Sequence, residues 1–88
     1  MIDKVYMGEN LDSVTLNEAV KSTLRNYFHN IGDEQPVDFY SILIEEIERP
    51  LLEVLIQYTH YNHVKMAVIL GISRGTLRKK LKQYGLLD

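Results

Sequence analysis

The stretch DFYSILIEEIERPLLEVLIQYTHY, residues 38–61, carries more apolar surface than one neighbouring element can cover. Tyr40, Leu43, Ile44, Ile47, Leu51, Val54, Leu55 and Tyr58 recur at intervals of three and four. That rhythm predicts a helix with one buried stripe, capped by Asp38. Phe39, Ile42, Leu52 and Ile56 fall outside the stripe, and a helix apolar on more than one side needs more than one neighbour. A chain of 88 residues makes one domain at most and supplies few candidates, so a second copy of the chain is the expected cover. Pro50 removes one backbone hydrogen bond within this run. The stripe keeps its phase across it, which predicts a kink rather than an end.

The flanking segments fill out an all-α chain of four helices. Thr15 followed by Glu18 fits a capping box at the start of a first helix. Its apolar row is Leu16, Ala19, Val20, Leu24, Tyr27, Phe28 and Ile31, and Gly32 ends it. Asp33-Glu34-Gln35-Pro36 reads as a loop. Asn62 is the expected cap of a short third helix, His63 to about Leu70, stopped by Gly71. Ser73 caps a fourth, running to about Tyr84 before Gly85. Residues 1–14 alternate weakly, and Gly8 and Asn10 permit a reversal into a short β-hairpin arm; a frayed terminus fits the same pattern equally. The resulting division is an arm over 1–14, dimerisation helices over 15–61 and a helix-turn-helix unit over 62–88.

Charge is distributed unevenly along this plan. Residues 1–61 hold four cations and eleven acids, and residues 62–88 hold six cations and one acid. The net charge of -2 therefore hides an acidic body and a basic tail. Half of the ten Lys and Arg lie between Ser73 and Gln83. Two short helices joined by a tight turn at Gly71 form a helix-turn-helix pattern, whose second helix enters the DNA major groove. At about 100° per residue, Leu77, Leu81 and Tyr84 share the side that packs inward. Arg74, Arg78 and Lys82 form a ridge beside that stripe, Lys79 points further outward, and Gly75 leaves the outward face bare.

The residue types suit a polyanion. Arg offers a planar fork to guanine, and Lys a compact charge to phosphate. The hydroxyls of Ser73 and Thr76, and the free N–H groups at the helix start, suit phosphate oxygens. Lys65 and Asn62 are placed to anchor the backbone from the first helix of the pair. Two other readings of the basic helix remain open at this level: a solvated face, or a helical interaction module that binds an acidic protein or a membrane surface.

Other chemistries find little support. The absence of cysteine excludes a disulfide framework, a thiolate nucleophile and cysteine-ligated zinc. His60 and His63 are three apart, but Asn62 is expected to break the helix between them, and no metal is expected. Glu45, Glu46, Glu48 and Glu53 lie off the apolar stripe, where solvent is the default, so no catalytic carboxylate pair and no enzyme activity is expected. The start shows no basic region followed by an apolar run, and no stretch approaches the ~18–20 apolar residues of a membrane span. No cofactor is expected.

The segment GISRGTLRKKLKQYG resembles the C-terminal helix-turn-helix of the bacterial Fis proteins, the factors for inversion stimulation. The likeness extends through ERPLLEVLIQYT, with its helix-interior proline, and through LRNYF in the first helix. The basic segment alone also resembles the C-terminal domain of larger bacterial enhancer-binding activators; the long preceding helices and the arm favour the free-standing family. The resemblance implies an intertwined homodimer in the bacterial cytoplasm and nucleoid. Its two groove-entering helices would lie closer together than one turn of B-DNA, so that the duplex must bend. Transcription regulation, nucleoid organisation and stimulation of site-specific DNA inversion are the implied roles.

By motif matching, the resemblance implies that Arg74 would read guanine. Thr76, Arg78, Lys79, Lys80 and Lys82 would hold phosphates or groove edges, and Asn62 would anchor the third helix. Val5, Glu9 and Leu11 occupy the positions through which the family's arms touch a DNA invertase. Gln57 matches a contact with RNA polymerase, where His60, Tyr61 and His63 replace the usual Arg, Gly and Gln. Ser73 stands in place of Asn, Val64 in place of Thr and Gln83 in place of Lys.

Overall fold

The computed structural model describes Tyr6–Met7 and residues 14–87. Its elements are β1 (Tyr6–Met7), β2 (Val14–Thr15), α1 (Leu16–Ile31), α2 (Phe39–Tyr58), α3 (His63–Leu70) and α4 (Arg74–Gln83). They fall into two compact units, residues 1–36 and 37–88. This grouping of packed elements places α2 with α3 and α4, whereas the functional division expected above pairs it with α1.

In the first unit β1 and β2 pair antiparallel, with Tyr6 opposite Thr15 and Met7 opposite Val14. Thr15 then changes role within one residue: its Oγ1 accepts from the N–H of Glu18 at 3.1 Å and opens α1. That hydroxyl satisfies one of the four N–H groups a helix start leaves without partners. Gly32 closes the helix at φ 64°. None of the α1 side chains is buried within the chain. The expected reversal at Gly8 and Asn10 lies outside the described residues.

The second unit holds the core. Leu52, Leu55 and Ile56 of α2 meet Met66 and Ala67 of α3, Leu77 and Leu81 of α4, and Tyr84 just beyond it. Leu70, Ile72, Leu86 and Leu87 close its edges. The seam of α2 thus differs from the stripe expected from spacing. Leu52 and Ile56, which lie off that stripe, are buried along with Leu55, while Tyr40, Val54 and Tyr58 on it are 76, 63 and 71% exposed. The reason is that α3 and α4 pack on the Leu52 side of the helix. Pro50 lies inside α2 without ending it.

Asp38 corrects a second expectation. It precedes α2 but has φ 54°, and its side chain makes no capping hydrogen bond. Side-chain capping requires extended backbone at the cap position, which this left-handed residue lacks. The α2–α3 connection is also unusual: His60 and Tyr61 both take positive φ, 53° and 64°. The N–H of Tyr61 donates to Ile56 carbonyl at 2.9 Å, which wraps the last turn of the helix. An ordinary side chain in this region costs about 1–2 kcal/mol.

Gly71 ends α3 at φ 71°, with its N–H shared between the carbonyls of Ala67 and Val68. A Cβ added there would meet nothing within 4 Å. Gly71→Ala is therefore expected to cost about 1–2 kcal/mol through backbone strain alone. Met66→Ala, at a side chain with 0% exposure, should cost about 2–5 kcal/mol. Chemical denaturation followed by circular dichroism measures both.

Candidate nucleic-acid interface

The α3–α4 pair is built from two caps and one turn. Asn62 Oδ1 accepts from the N–H of Lys65 at 3.0 Å and opens α3. Ser73 Oγ accepts from the N–H of Thr76 at 3.1 Å and opens α4. The same Ser73 hydroxyl donates to Thr76 Oγ1 at 3.0 Å. Thr76 therefore has its acceptor site engaged by Ser73 and retains its own O–H for an outside acceptor. Between the helices, Gly71 supplies the left-handed turn and Ile72 N–H donates to Ala67 carbonyl at 3.1 Å.

The seam decides which way α4 faces. Leu77 and Leu81 are 1 and 0% exposed and Tyr84 is 6% exposed, which uses up the inward side. Arg74, Thr76, Arg78, Lys79 and Lys82 are all exposed, as are Asn62, Lys65 and Ser73. The outward surface of α4 thus gathers four cations with no acid on the same helix. Gly75 lies among them with ordinary helical backbone. A Cβ there would meet only Ser73 Oγ, at 3.9 Å, so the fold itself has no need of glycine at this position. Its bareness is available to whatever approaches from outside.

Lys80 is placed differently. Its Nζ lies 2.7 Å from Glu48 Oε2, the single ion pair among the described residues. Tyr84 O–H donates to the other carboxylate oxygen at 2.6 Å. Arg49 Nη1 donates to the Tyr84 carbonyl at 3.1 Å, and its guanidinium sits 5.3 Å from the Tyr84 ring centroid. Hydrogen bonds from Lys80 and Tyr84 hold the Glu48 carboxyl below its usual range. The hydrogen bond that the Tyr84 phenol donates to the same carboxylate pushes it up to about 12, because ionisation would give up that bond and set a phenolate against a second negative charge. Glu48 is therefore not the solvated acid expected from its place off the apolar stripe. Its register does carry a signal, since 48, 52, 55, 56 and 59 share the face that α3 and α4 cover. Arg49 carries no comparable signal.

His60 lies within the α2–α3 turn in left-handed backbone, and His63 opens α3. Among the described residues no group of three or more His, Cys, Asp or Glu is gathered as a metal site would require. No helix among them is long and apolar enough to cross a membrane. Val5, Glu9 and Leu11 lie outside the described residues.

Residues 43–84, from the second turn of α2 to the residue that follows α4, match the family described as bacterial regulatory protein, Fis family. The chain is 46% identical over 71 residues to the DNA-binding protein Fis of Actinobacillus succinogenes, covering 81% of this chain and 72% of that one. It is 45% identical over 71 residues to the protein of that name from Aeromonas hydrophila, with the same coverage. The chain belongs to the Fis family. A Yersinia enterocolitica relative of the same name extends the likeness to 85% of this chain and 80% of its own, at 45% identity. The Fis match thus spans both the seam and the basic helix that the seam orients.

The Glu48 cluster makes stability depend on pH at both ends. Glu48 is depressed, so its contribution is full above the 4.5 of an unfolded glutamate and is lost as pH falls through the lower folded value. Tyr84 is raised, so its contribution is full below 10 and is lost as pH climbs towards about 12. Thermal melts across pH should show a plateau between those limits. Glu48→Gln should lower the plateau and flatten both shoulders.

Proposed function

We propose that this chain is a homodimeric DNA-binding and DNA-bending regulator, with α4 entering the major groove. The observation that carries the reading is the exposed cationic ridge of Arg74, Arg78, Lys79 and Lys82 beside the bare backbone at Gly75. Arg74 stands at the first turn, where a groove-entering helix meets base edges, and is assigned to guanine. Thr76, Arg78, Lys79 and Lys82 are assigned to phosphates or groove edges, with Asn62, Lys65 and Ser73 steadying the backbone at the two helix starts. Ser73 and Asn62 act chiefly through their caps, since both side-chain oxygens are engaged there.

The dimer is supported by the apolar face that the seam leaves over. Tyr40, Ile47, Leu51, Val54 and Tyr58 are all exposed along one side of α2. A set of this size on a soluble surface calls for a partner. A second copy would carry the same face and bury it against this one. Two α4 helices set closer together than one DNA turn would require the duplex to bend, and sites would then be chosen partly by how easily they deform. Location at the bacterial nucleoid and a role in transcription follow from the same reading. Contact with RNA polymerase through Gln57 beside the α2–α3 turn extends it, as does stimulation of a DNA invertase through Val5, Glu9 and Leu11.

Gel shifts on duplexes selected from bound genomic DNA and on random duplexes, at two salt concentrations, test this proposal. Arg74→Ala should weaken selected sites far more than random ones; equal losses would move Arg74 to a phosphate role. Gly75→Ala separates binding from folding. Alanine is the better helix former by about 0.5–1 kcal/mol, so melting should hold or rise while DNA affinity falls. A hydrodynamic mass of one chain at micromolar concentration would contradict the dimer.

A further inference from the structure

Two consecutive side chains of α2 reach the far end of α4. Glu48 receives both Lys80 Nζ and the Tyr84 O–H, at 2.7 and 2.6 Å. Arg49 holds the Tyr84 carbonyl at 3.1 Å and covers its ring. Lys80 and Tyr84 are four residues apart and so lie on one side of the helix, a turn from each other. The apolar seam beneath them is non-directional and tolerates small rotations of α4. Hydrogen bonds are directional, and a pair of neighbouring side chains gripping two successive turns sets both the roll and the tilt of the helix. The contacts join positions 32 to 36 residues apart, so they tie α4 to α2 itself rather than to the adjoining turn.

Lys80 differs from the other cations of α4 in just this respect. Its side chain is 33% exposed and is paired with Glu48, whose own is 21% exposed. Meeting a phosphate would mean giving up that partner. Arg74, Arg78, Lys79 and Lys82 carry no such cost, as none forms an ion pair among the described residues.

We propose that Glu48 and Arg49 latch α4 onto α2, and that Lys80 serves this latch as a positioning residue instead of contacting DNA. The inference rests on the DNA-binding reading above and refines it. Lys80 aims the ridge, and the four outward cations neutralise phosphate. Because α2 also carries the face proposed to meet the second copy, the latch would set the relative aim of the two groove-entering helices.

The test is a salt series of duplex binding by fluorescence anisotropy, with the intact chain. Lys79→Gln should reduce the slope of log affinity against log salt by about 0.9 for each phosphate it no longer neutralises. Lys80→Gln should lower affinity for the preferred duplex and leave that slope unchanged. Lys80→Glu alone should weaken binding roughly tenfold, and adding Glu48→Lys, which restores the pair with its charges exchanged, should recover most of the loss. Thermal melts of each variant confirm that it is folded. The inference is overturned if Lys80→Gln flattens the slope as much as Lys79→Gln does. It is equally overturned if the exchanged pair binds no better than Lys80→Glu. A wild-type chain that binds no duplex would instead remove the DNA-binding reading and this refinement with it.

Discussion

The contact between one face of α2 and the α3–α4 pair is the constraint on which everything else rests. Leu52, Met66, Leu77 and Leu81 are the largest fully buried side chains, and each contributes about 1.5–3 kcal/mol by leaving water. The Lys80–Glu48 pair is partly exposed, and such pairs contribute about 1 kcal/mol or less. The magnitudes assign different tasks to the two interactions. The seam supplies the free energy that keeps α4 on α2, and the polar cluster beside it supplies direction. Burial of Leu77, Leu81 and Tyr84 on one side of a ten-residue helix and its cap leaves Arg74, Arg78, Lys79 and Lys82 with nowhere to go but outward.

The same contact determines what α2 has left to offer. Its Leu52 side is used within the chain, and its Tyr40–Val54–Tyr58 side is exposed. An acidic body with an exposed apolar face on α2, combined with a basic end, fits an assembly in which one surface joins copies and another meets a polyanion. In that arrangement the cations are concentrated where counterions would be released. The departures at Ser73, Val64 and Gln83 each remove reach, a hydroxyl or charge, and none of them lies in the seam. On the DNA-binding reading proposed above, they would bear on affinity and site preference.

Local features are readable from sequence because their causes are local. Thr15, Asn62 and Ser73 have the spacing of caps, and each makes its hydrogen bond. Gly32 and Gly71 have the placing of helix stops and take positive φ, as does Gly85 beyond α4. Asp38 misleads because its type suits a cap while its backbone is left-handed. Periodicity establishes that α2 is apolar on two sides but not which side the chain itself uses; that depends on where α3 returns. Glu48 reads as solvated because its partners lie more than thirty residues away. Among the residues proposed for DNA, the outward set on α4 is legible from the helical wheel. The engagement of Lys80 is not, for no wheel of a single helix shows a partner on another.

The central claim is that this seam turns one face of α4, together with the start of α3, towards DNA. Amide chemical-shift mapping of the isotopically labelled protein during titration with a short duplex tests it most directly. The account predicts that shifts concentrate at Asn62–Lys65 and Ser73–Lys82, and that the seam residues of α2, Leu52 to Ile56, stay nearly still. Shifts confined to α1, or spread over α2 while α4 remains unmoved, would contradict it.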